Sequence, residues 1–334
     1  MKISASIYSD KKRTLKEVVQ DLVNHQVDLL HVDCNDDLNV FEDIHQIRQW
    51  CALPIDLHII TDTPEKYFDL LRKEPVEYIT FQVENLKEDL HLPIDISGKK
   101  GIAVITPTPI DVFEKYTDFD FILIMATIPG QSGGVFDKIN FEKIRKFRAK
   151  YPSKSIHVDG GVNGEVSFIL RNMGVSSCVS GSYLFNAPSV GQALMNLTKR
   201  EIESDYKVED FMIPLAECPN IDDENVPLLT LLETIERGNL GFALVTDKND
   251  YLKGLVSSAD IRKALIKSIK ENKKLEVRDL INYKPVIVNS NATVVELLRL
   301  IKQCSFPVMY LPVVNEHHQA LGIVNFVHLI KGEI

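Results

Sequence analysis

The stretch Leu29-Leu30-His31-Val32-Asp33-Cys34-Asn35-Asp36 decides how the chain is read. A short apolar run ends in a histidine and a carboxylate two residues apart. Side chains alternate faces along a strand, so His31 and Asp33 point the same way where the run stops. One metal ion could take both; a plain hydrogen-bonded His–Asp pair is the other reading. Cys34 falls on the opposite face and reads as a small buried residue behind the strand.

The pattern repeats outward from there. Short β-like runs near 2–8, 28–33, 54–60, 76–82, 101–105, 120–126, 155–159 and 177–181 alternate with amphipathic helical patterns in most of the gaps. Such a series predicts an α/β fold, a (β/α)8 TIM barrel, whose functional residues sit at the C-terminal strand ends. An open doubly wound sheet calls for a Gly-rich turn after the first strand, and Ser6-Ile7-Tyr8-Ser9-Asp10 has no glycine.

The strand ends isolate few polar residues: Ser6 and Ser9, then His31 and Asp33, then His58 within Ile55-Asp56-Leu57-His58-Ile59-Ile60, then His157-Val158-Asp159-Gly160-Gly161. His31, Asp33, His58 and Asp159 converge on one end of the barrel as a ligand set for a divalent ion. Nitrogen plus carboxylate oxygen suits Zn²⁺, Fe²⁺, Mn²⁺ or Co²⁺ and does not choose among them. Gly160-Gly161 and Ser180-Gly181-Ser182, the latter just before a short helix near Tyr183, occupy the usual phosphate position of barrels. Plain turns are the other reading of such glycines. Pro129-Gly130-Gln131-Ser132-Gly133-Gly134 could fold over the same end as a lid.

Composition narrows the function classes. With 334 residues, 45% hydrophobic and 25% charged, the chain is globular and long enough for two cores. A net charge of −9 argues against a nucleic-acid binder, whose affinity rests on neutralising phosphates. Five scattered cysteines without a C-x-x-C pair read as reduced thiols. Met1-Lys2-Ile3-Ser4-Ala5-Ser6 enters a strand without a signal-like apolar run, and no run approaches membrane-spanning length. A cytoplasmic location, no membrane partner and a homo-oligomeric assembly are expected.

The first 200 residues or so resemble the ribulose-phosphate 3-epimerases. Ser6-Ile7, His31-Val32-Asp33, Asp56-Leu57-His58, Gly101-Ile102-Ala103 with Pro107-Thr108-Pro109, Met125 with Pro129-Gly130, Asp159-Gly160-Gly161 and Gly181-Ser182 carry the resemblance in order. It implies metal-dependent epimerisation of a pentulose phosphate at C3. By position, His31, Asp33, His58 and Asp159 match the family's metal ligands, and Asp33 and Asp159 its acid/base pair. Ser6, Met125 and Gly133 would line the substrate pocket, and Gly160, Gly161, Gly181 and Ser182 the phosphate end. The chain departs from the family at Asn35 and Ile60, where methionines usually form an apolar cap, at Gln82 in place of a histidine, at Ile128 in place of an asparagine, and at Gly134 in place of a glutamine. These changes bear on which ketose phosphate is used, ribulose 5-phosphate or another such as allulose 6-phosphate.

Past Leu197-Thr198-Lys199-Arg200-Glu201 the barrel pattern stops, which places the domains at 1–203 and 204–334. An internal repeat follows. Val208-Glu209-Asp210-Phe211-Met212 recurs as Val277-Arg278-Asp279-Leu280-Ile281 (277 − 208 = 69), and Gly254-Leu255-Val256 as Gly322-Ile323-Val324 (322 − 254 = 68). Nearly equal offsets imply two copies of a β-α-β-β-α unit, about 204–270 and 271–334. This half resembles a tandem pair of cystathionine-β-synthase (CBS) domains, an α+β module that commonly binds adenine nucleotides, and is most similar to the pairs attached to arabinose 5-phosphate isomerases. Gly254-Leu255-Val256-Ser257-Ser258-Ala259-Asp260 matches the nucleotide motif, with Ser257 facing phosphate and Asp260 the ribose. A simple helix cap made by Ser257 and Asp260 is the equal alternative. The second copy has Asn325 and His328 there, so one nucleotide per pair at most is expected. His317-His318 reads as a solvated turn.

Two functional readings remain at this level. One is an active sugar-phosphate epimerase with a regulatory CBS pair. The other is a sensor whose barrel has lost turnover, suggested by the changed cap and loops. An aldolase with a Schiff base calls for a lysine at a strand end, and none of the predicted strand ends has one.

Overall fold

The computed structural model describes residues 1–127, 133–198, 205–304 and 308–326. Their contacts form two compact units, one reaching residue 198 and the other starting at residue 205. The expected boundary between residues 203 and 204 lies outside the described residues.

The first unit is a closed barrel of parallel strands in sequential order. The strands are β1 (Lys2–Ser6), β2 (Leu29–Asn35), β3 (Ile55–Ile60), β4 (Tyr78–Gln82), β5 (Lys99–Ile105), β6 (Phe121–Met125), β7 (Ser155–Asp159) and β8 (Ser177–Ser180). β8 closes on β1 through pairs from Lys2↔Ser177 to Ala5↔Ser180. Alternation sets which residue faces where. On β2, Leu30, Val32 and Cys34 are fully buried behind the strand. Leu29 shares the other face with His31 and Asp33, and packs with Tyr78, Ala103, Phe121, Leu123 and Met125 inside the barrel.

Outer helices cover the barrel at α1 (Leu15–Asn24), α2 (Val40–Trp50), α3 (Phe68–Lys73), α4 (Ile139–Lys150), α5 (Gly164–Asn172), α6 (Ser182–Asn186) and α7 (Val190–Thr198). Val18, Val19 and Leu22 give α1 a buried stripe, and Thr14 starts it with a capping box to Glu17. Such a cap contributes about 1 kcal/mol. Between β4 and β5, and between β5 and β6, the chain makes only 3₁₀ turns, Val83–Asn85 and Ile110–Tyr116. Pro107 and Pro109 directly precede the second turn, and each removes a backbone donor that a longer helix would need.

The second unit contains α8 (Val208–Phe211), β9 (Ile213–Pro214), β10 (Asn220–Ile221), α9 (Leu228–Gly238), β11 (Phe242–Thr246), β12 (Leu252–Ser257), α10 (Ser258–Glu271), β13 (Val288–Asn289), α11 (Val294–Gln303), β14 (Tyr310–Val314) and β15 (Ala320–Asn325). The repeat is visible in the order β10-α9-β11-β12 and its copy β13-α11-β14-β15. The final helix expected of the second copy, and His328, fall outside the described residues. Strand orders are β10-β11-β12 and β13-β14-β15-β9, so the first strand of this unit completes the sheet of the second repeat. His317 and His318 occupy an exposed turn between β14 and β15, as the sequence suggests.

Candidate metal and acid–base site

The C-terminal ends of β2, β3 and β7 bring four side chains together. One donor atom from each of His31, Asp33, His58 and Asp159 lies within 4.8 Å of the other three. His31 Nε2 is 3.3 Å from Asp33 Oδ1 and 3.7 Å from Asp159 Oδ2, and His58 Nδ1 is 3.5 Å from Asp33 Oδ1. Donors about 2.1 Å from a tetrahedral ion would be roughly 3.4 Å apart, close to these three separations within a set that spreads to 4.8 Å. Both histidines are fully buried, whereas the side chains of Asp33 and Asp159 keep 19% and 17% of their surface exposed. The imidazoles are thus held rigid from below and the carboxylates face the barrel mouth.

Each imidazole is oriented by a partner on its far side. His31 Nδ1 lies 3.0 Å from Asp56 Oδ2, which also accepts the Ser4 hydroxyl at 2.8 Å. A neutral His31 that donates from Nδ1 to Asp56 would turn the lone pair of Nε2 toward the site. His58 Nε2 lies 2.9 Å from Gln82 Oε1, while its Nδ1 is buried without a hydrogen-bond partner. A buried nitrogen without a hydrogen-bond partner, 3.5 Å from the Asp33 carboxylate, is a donor that could ligate a cation.

The electrostatics agree. Burial alone would lower the His31 pKa, yet Asp33 and Asp56 raise it well above the usual imidazole range. Burial would raise Asp33, but His31 and His58 hold it below the usual carboxylate range. Asp159 goes the other way, to about 6, because desolvation and the Asp33 charge outweigh the pull of the histidines. The two carboxylates therefore sit in different electrostatic surroundings within one site. Three carboxylates around two imidazoles also leave an excess of negative charge that a divalent cation offsets.

Ser6, Met125, Gly160, Gly161, Gly181 and Ser182 lie at or just past the C-terminal ends of β1, β6, β7 and β8. Ser6 ends β1, pairs in register with His31, and accepts a hydrogen bond from Ser9 at 3.0 Å. Met125 ends β6 beside Asp159 and is buried. Gly160 and Gly161 follow β7 with φ of +106° and +67°. A Cβ on Gly161 would come within 2.2 Å of the Phe136 backbone nitrogen, so the glycine lets two loops touch. Gly181 and Ser182 follow β8, with Gly181 against Ser9 and Ser6. Gly133 has φ +90° and open space around it; Ile128 and residues 129–132 of the expected lid lie outside the described residues.

Asp56, Ser4, Gln82 and Glu84 have roles that strand-end reading passes over. Asp56 carries a usable signal, since it precedes His58 by two residues on the same strand face. In the other unit, Ser257 caps α10: its Oγ accepts from the Asp260 backbone, and Asp260 Oδ2 takes both the Ser257 backbone N–H and hydroxyl.

The ribulose-phosphate 3 epimerase family matches residues 2–185, and the CBS domain matches residues 217–267 and 277–332. A ribulose-phosphate 3-epimerase of Methanocaldococcus jannaschii is 30% identical over 61% of this chain and 92% of its own length. One of Synechocystis is 31% identical over 58% of this chain and 90% of its own. Among solved structures, CBSX2 in complex with AMP is 25% identical over 38% of this chain and 96% of its own, with a TM-score of 0.33. The family match spans more than half of the chain and includes every strand of the barrel. The chain belongs to the ribulose-phosphate 3-epimerase family, with a tandem CBS pair after the epimerase domain.

Proposed function

We propose that the chain is a metal-dependent 3-epimerase that interconverts D-ribulose 5-phosphate and D-xylulose 5-phosphate. The observation that carries this reading is the four-residue cluster at the C-terminal ends of β2, β3 and β7, in which His58 Nδ1 is buried without a hydrogen-bond partner. His31, Asp33, His58 and Asp159 would hold one divalent ion, Zn²⁺, Fe²⁺, Mn²⁺ or Co²⁺. When bound, such an ion supplies Lewis-acid stabilisation of negative charge on substrate oxygens.

The chain's own residues account for proton movement. The C3 hydrogen of a 2-ketose is acidified by the neighbouring carbonyl. Asp33, held ionised, takes it from one face of the sugar. Asp159 returns one to the opposite face, which inverts the centre. The roles exchange in the reverse direction. Ser6, Met125 and Gly133 line the pocket, and the backbone at Gly160, Gly161, Gly181 and Ser182 receives the phosphate. A CBS pair supports control by an adenine nucleotide, taken up at the start of α10 near Ser257 and Asp260. The working assembly is a homo-oligomer in the cytoplasm, with residues 1–203 as the epimerase domain.

The test is conversion of D-ribulose 5-phosphate by protein loaded with each of the four ions and by chelator-treated protein. Turnover restored by an ion supports the reading. Absence of turnover with every ion rejects this substrate and moves the assay to allulose 6-phosphate. A second reading, a sugar-phosphate or nucleotide sensor, rests on the changes at Asn35, Ile60, Gln82 and Ile128; it predicts calorimetric binding of nucleotide or ketose phosphate without turnover.

A further inference from the structure

His58 is fully buried, and only one of its ring nitrogens, Nδ1, lacks a hydrogen-bond partner. Which nitrogen is left bare follows from the residues behind it. Gln82 presents Oε1 to His58 Nε2 at 2.9 Å, and its amide nitrogen faces two acceptors, the Glu84 carboxylate and the Ala103 carbonyl at 3.4 Å. An amide NH2 only donates and a carboxylate only accepts. Reversing the Gln82 amide would set its carbonyl against the Glu84 carboxylate and the Ala103 carbonyl. Oε1 therefore faces His58, and Nε2 of His58 must carry the proton. A neutral imidazole protonated at Nε2 has its lone pair on Nδ1, the atom 3.5 Å from Asp33 Oδ1.

Glu84 is itself held. It accepts the Ile105 backbone N–H at 3.0 Å and the Thr108 hydroxyl. Lys143 on α4 pins the same loop, with its ammonium 2.7, 2.7 and 2.6 Å from the carbonyls of Ile105, Thr106 and Thr108. We propose that Glu84 is a positioning residue which, through Gln82, locks His58 in the tautomer that offers Nδ1 to a divalent cation. The inference rests on the metal reading above and deepens it. The glutamine that departs from the family pattern thus becomes half of a two-residue device: Glu84 fixes the amide, and the amide fixes the ring.

Long-range ¹⁵N–¹H NMR of the metal-free full chain, recorded at a pH where the same spectra show His58 neutral, reads the tautomer directly. Wild-type protein is expected to show His58 protonated at Nε2 and bare at Nδ1. Glu84→Gln frees the amide to turn, so the Nδ1–H form appears and Zn²⁺ affinity, measured by chelator competition, falls about 10–100-fold. Gln82→Leu should cause a comparable loss while leaving the contacts of Glu84 to Ile105 and Thr108 in place. Adding Glu84→Gln to Gln82→Leu should then cost nothing further, because the two act in series. A wild-type His58 protonated at Nδ1, or losses that add in the double variant, overturns the proposal. Wild-type protein that shows the Nε2–H tautomer yet takes up no Zn²⁺ overturns the metal reading alone and upholds the lock.

Discussion

Carboxylates near a helix start and carboxylates at a barrel mouth behave differently in this molecule. In the CBS unit, Asp260 and Ser257 satisfy each other through three hydrogen bonds of 2.5–3.3 Å. Thr14 with Glu17, and Thr293 with Glu296, close the same reciprocal box. At the barrel mouth Asp33 and Asp159 face imidazoles whose outer nitrogens are already committed, and His58 Nδ1 has no partner. A cap is complete within four residues of chain. The barrel cluster is drawn from three strands and leaves His58 Nδ1 without a hydrogen-bond partner. The position of unsatisfied polar groups, more than the residue types, separates chemistry from architecture here.

The largest effect that would test this contrast is on turnover. Asp159→Asn keeps the shape of the side chain but removes its ability to carry a proton, so kcat should fall about 10²–10⁴-fold. Retained turnover in steady-state assays would dissolve the distinction between the two kinds of carboxylate.

An intermediate effect is expected at Asp56. Asp56→Asn weakens the acceptor behind His31 Nδ1, and metal affinity in chelator competition should drop about 10–100-fold. Far-UV circular dichroism should show the barrel still folded. Unchanged affinity would mean that Asp56 serves packing with Ser4 and not the site.

The smallest effect belongs to the cap. Ser257→Ala removes one side of the box at α10 and should cost about 1 kcal/mol in the stability of the CBS unit. Epimerisation without nucleotide should be unchanged. Loss of AMP binding in calorimetry would show that Ser257 also serves a ligand, whereas retained binding would leave it a cap only.

How much of this was legible from sequence depends on range. Period-two alternation placed Leu30, Val32 and Cys34 behind β2 and His31 with Asp33 in front, and both placements hold. All of the barrel strands fall within the predicted runs to a few residues, since each is an apolar segment bounded by polar turns. Asp56 could be picked out by its strand face, but which residue partners which histidine was not legible, because that depends on register between strands. Asp56 reaches His31 because His31↔Asp56 pair across β2 and β3, and Gln82 reaches His58 across the next pair of strands. No local pattern encodes that register. The return of β9 to pair with β15 was missed for the same reason: a two-residue strand carries no periodicity. Gln82 looked like a lost histidine when judged by type alone, and only its hydrogen bonds show what it retains.

The most direct measurement of the central claim is solvent exchange at the reacting carbon. Metal-loaded protein is incubated with D-ribulose 5-phosphate in D₂O, and deuterium at C3 of D-xylulose 5-phosphate is followed by NMR. The account predicts deuterium at C3, lost on chelation and in Asp159→Asn. Epimerised product that carries no solvent deuterium, or no exchange with any of the four ions, would contradict it.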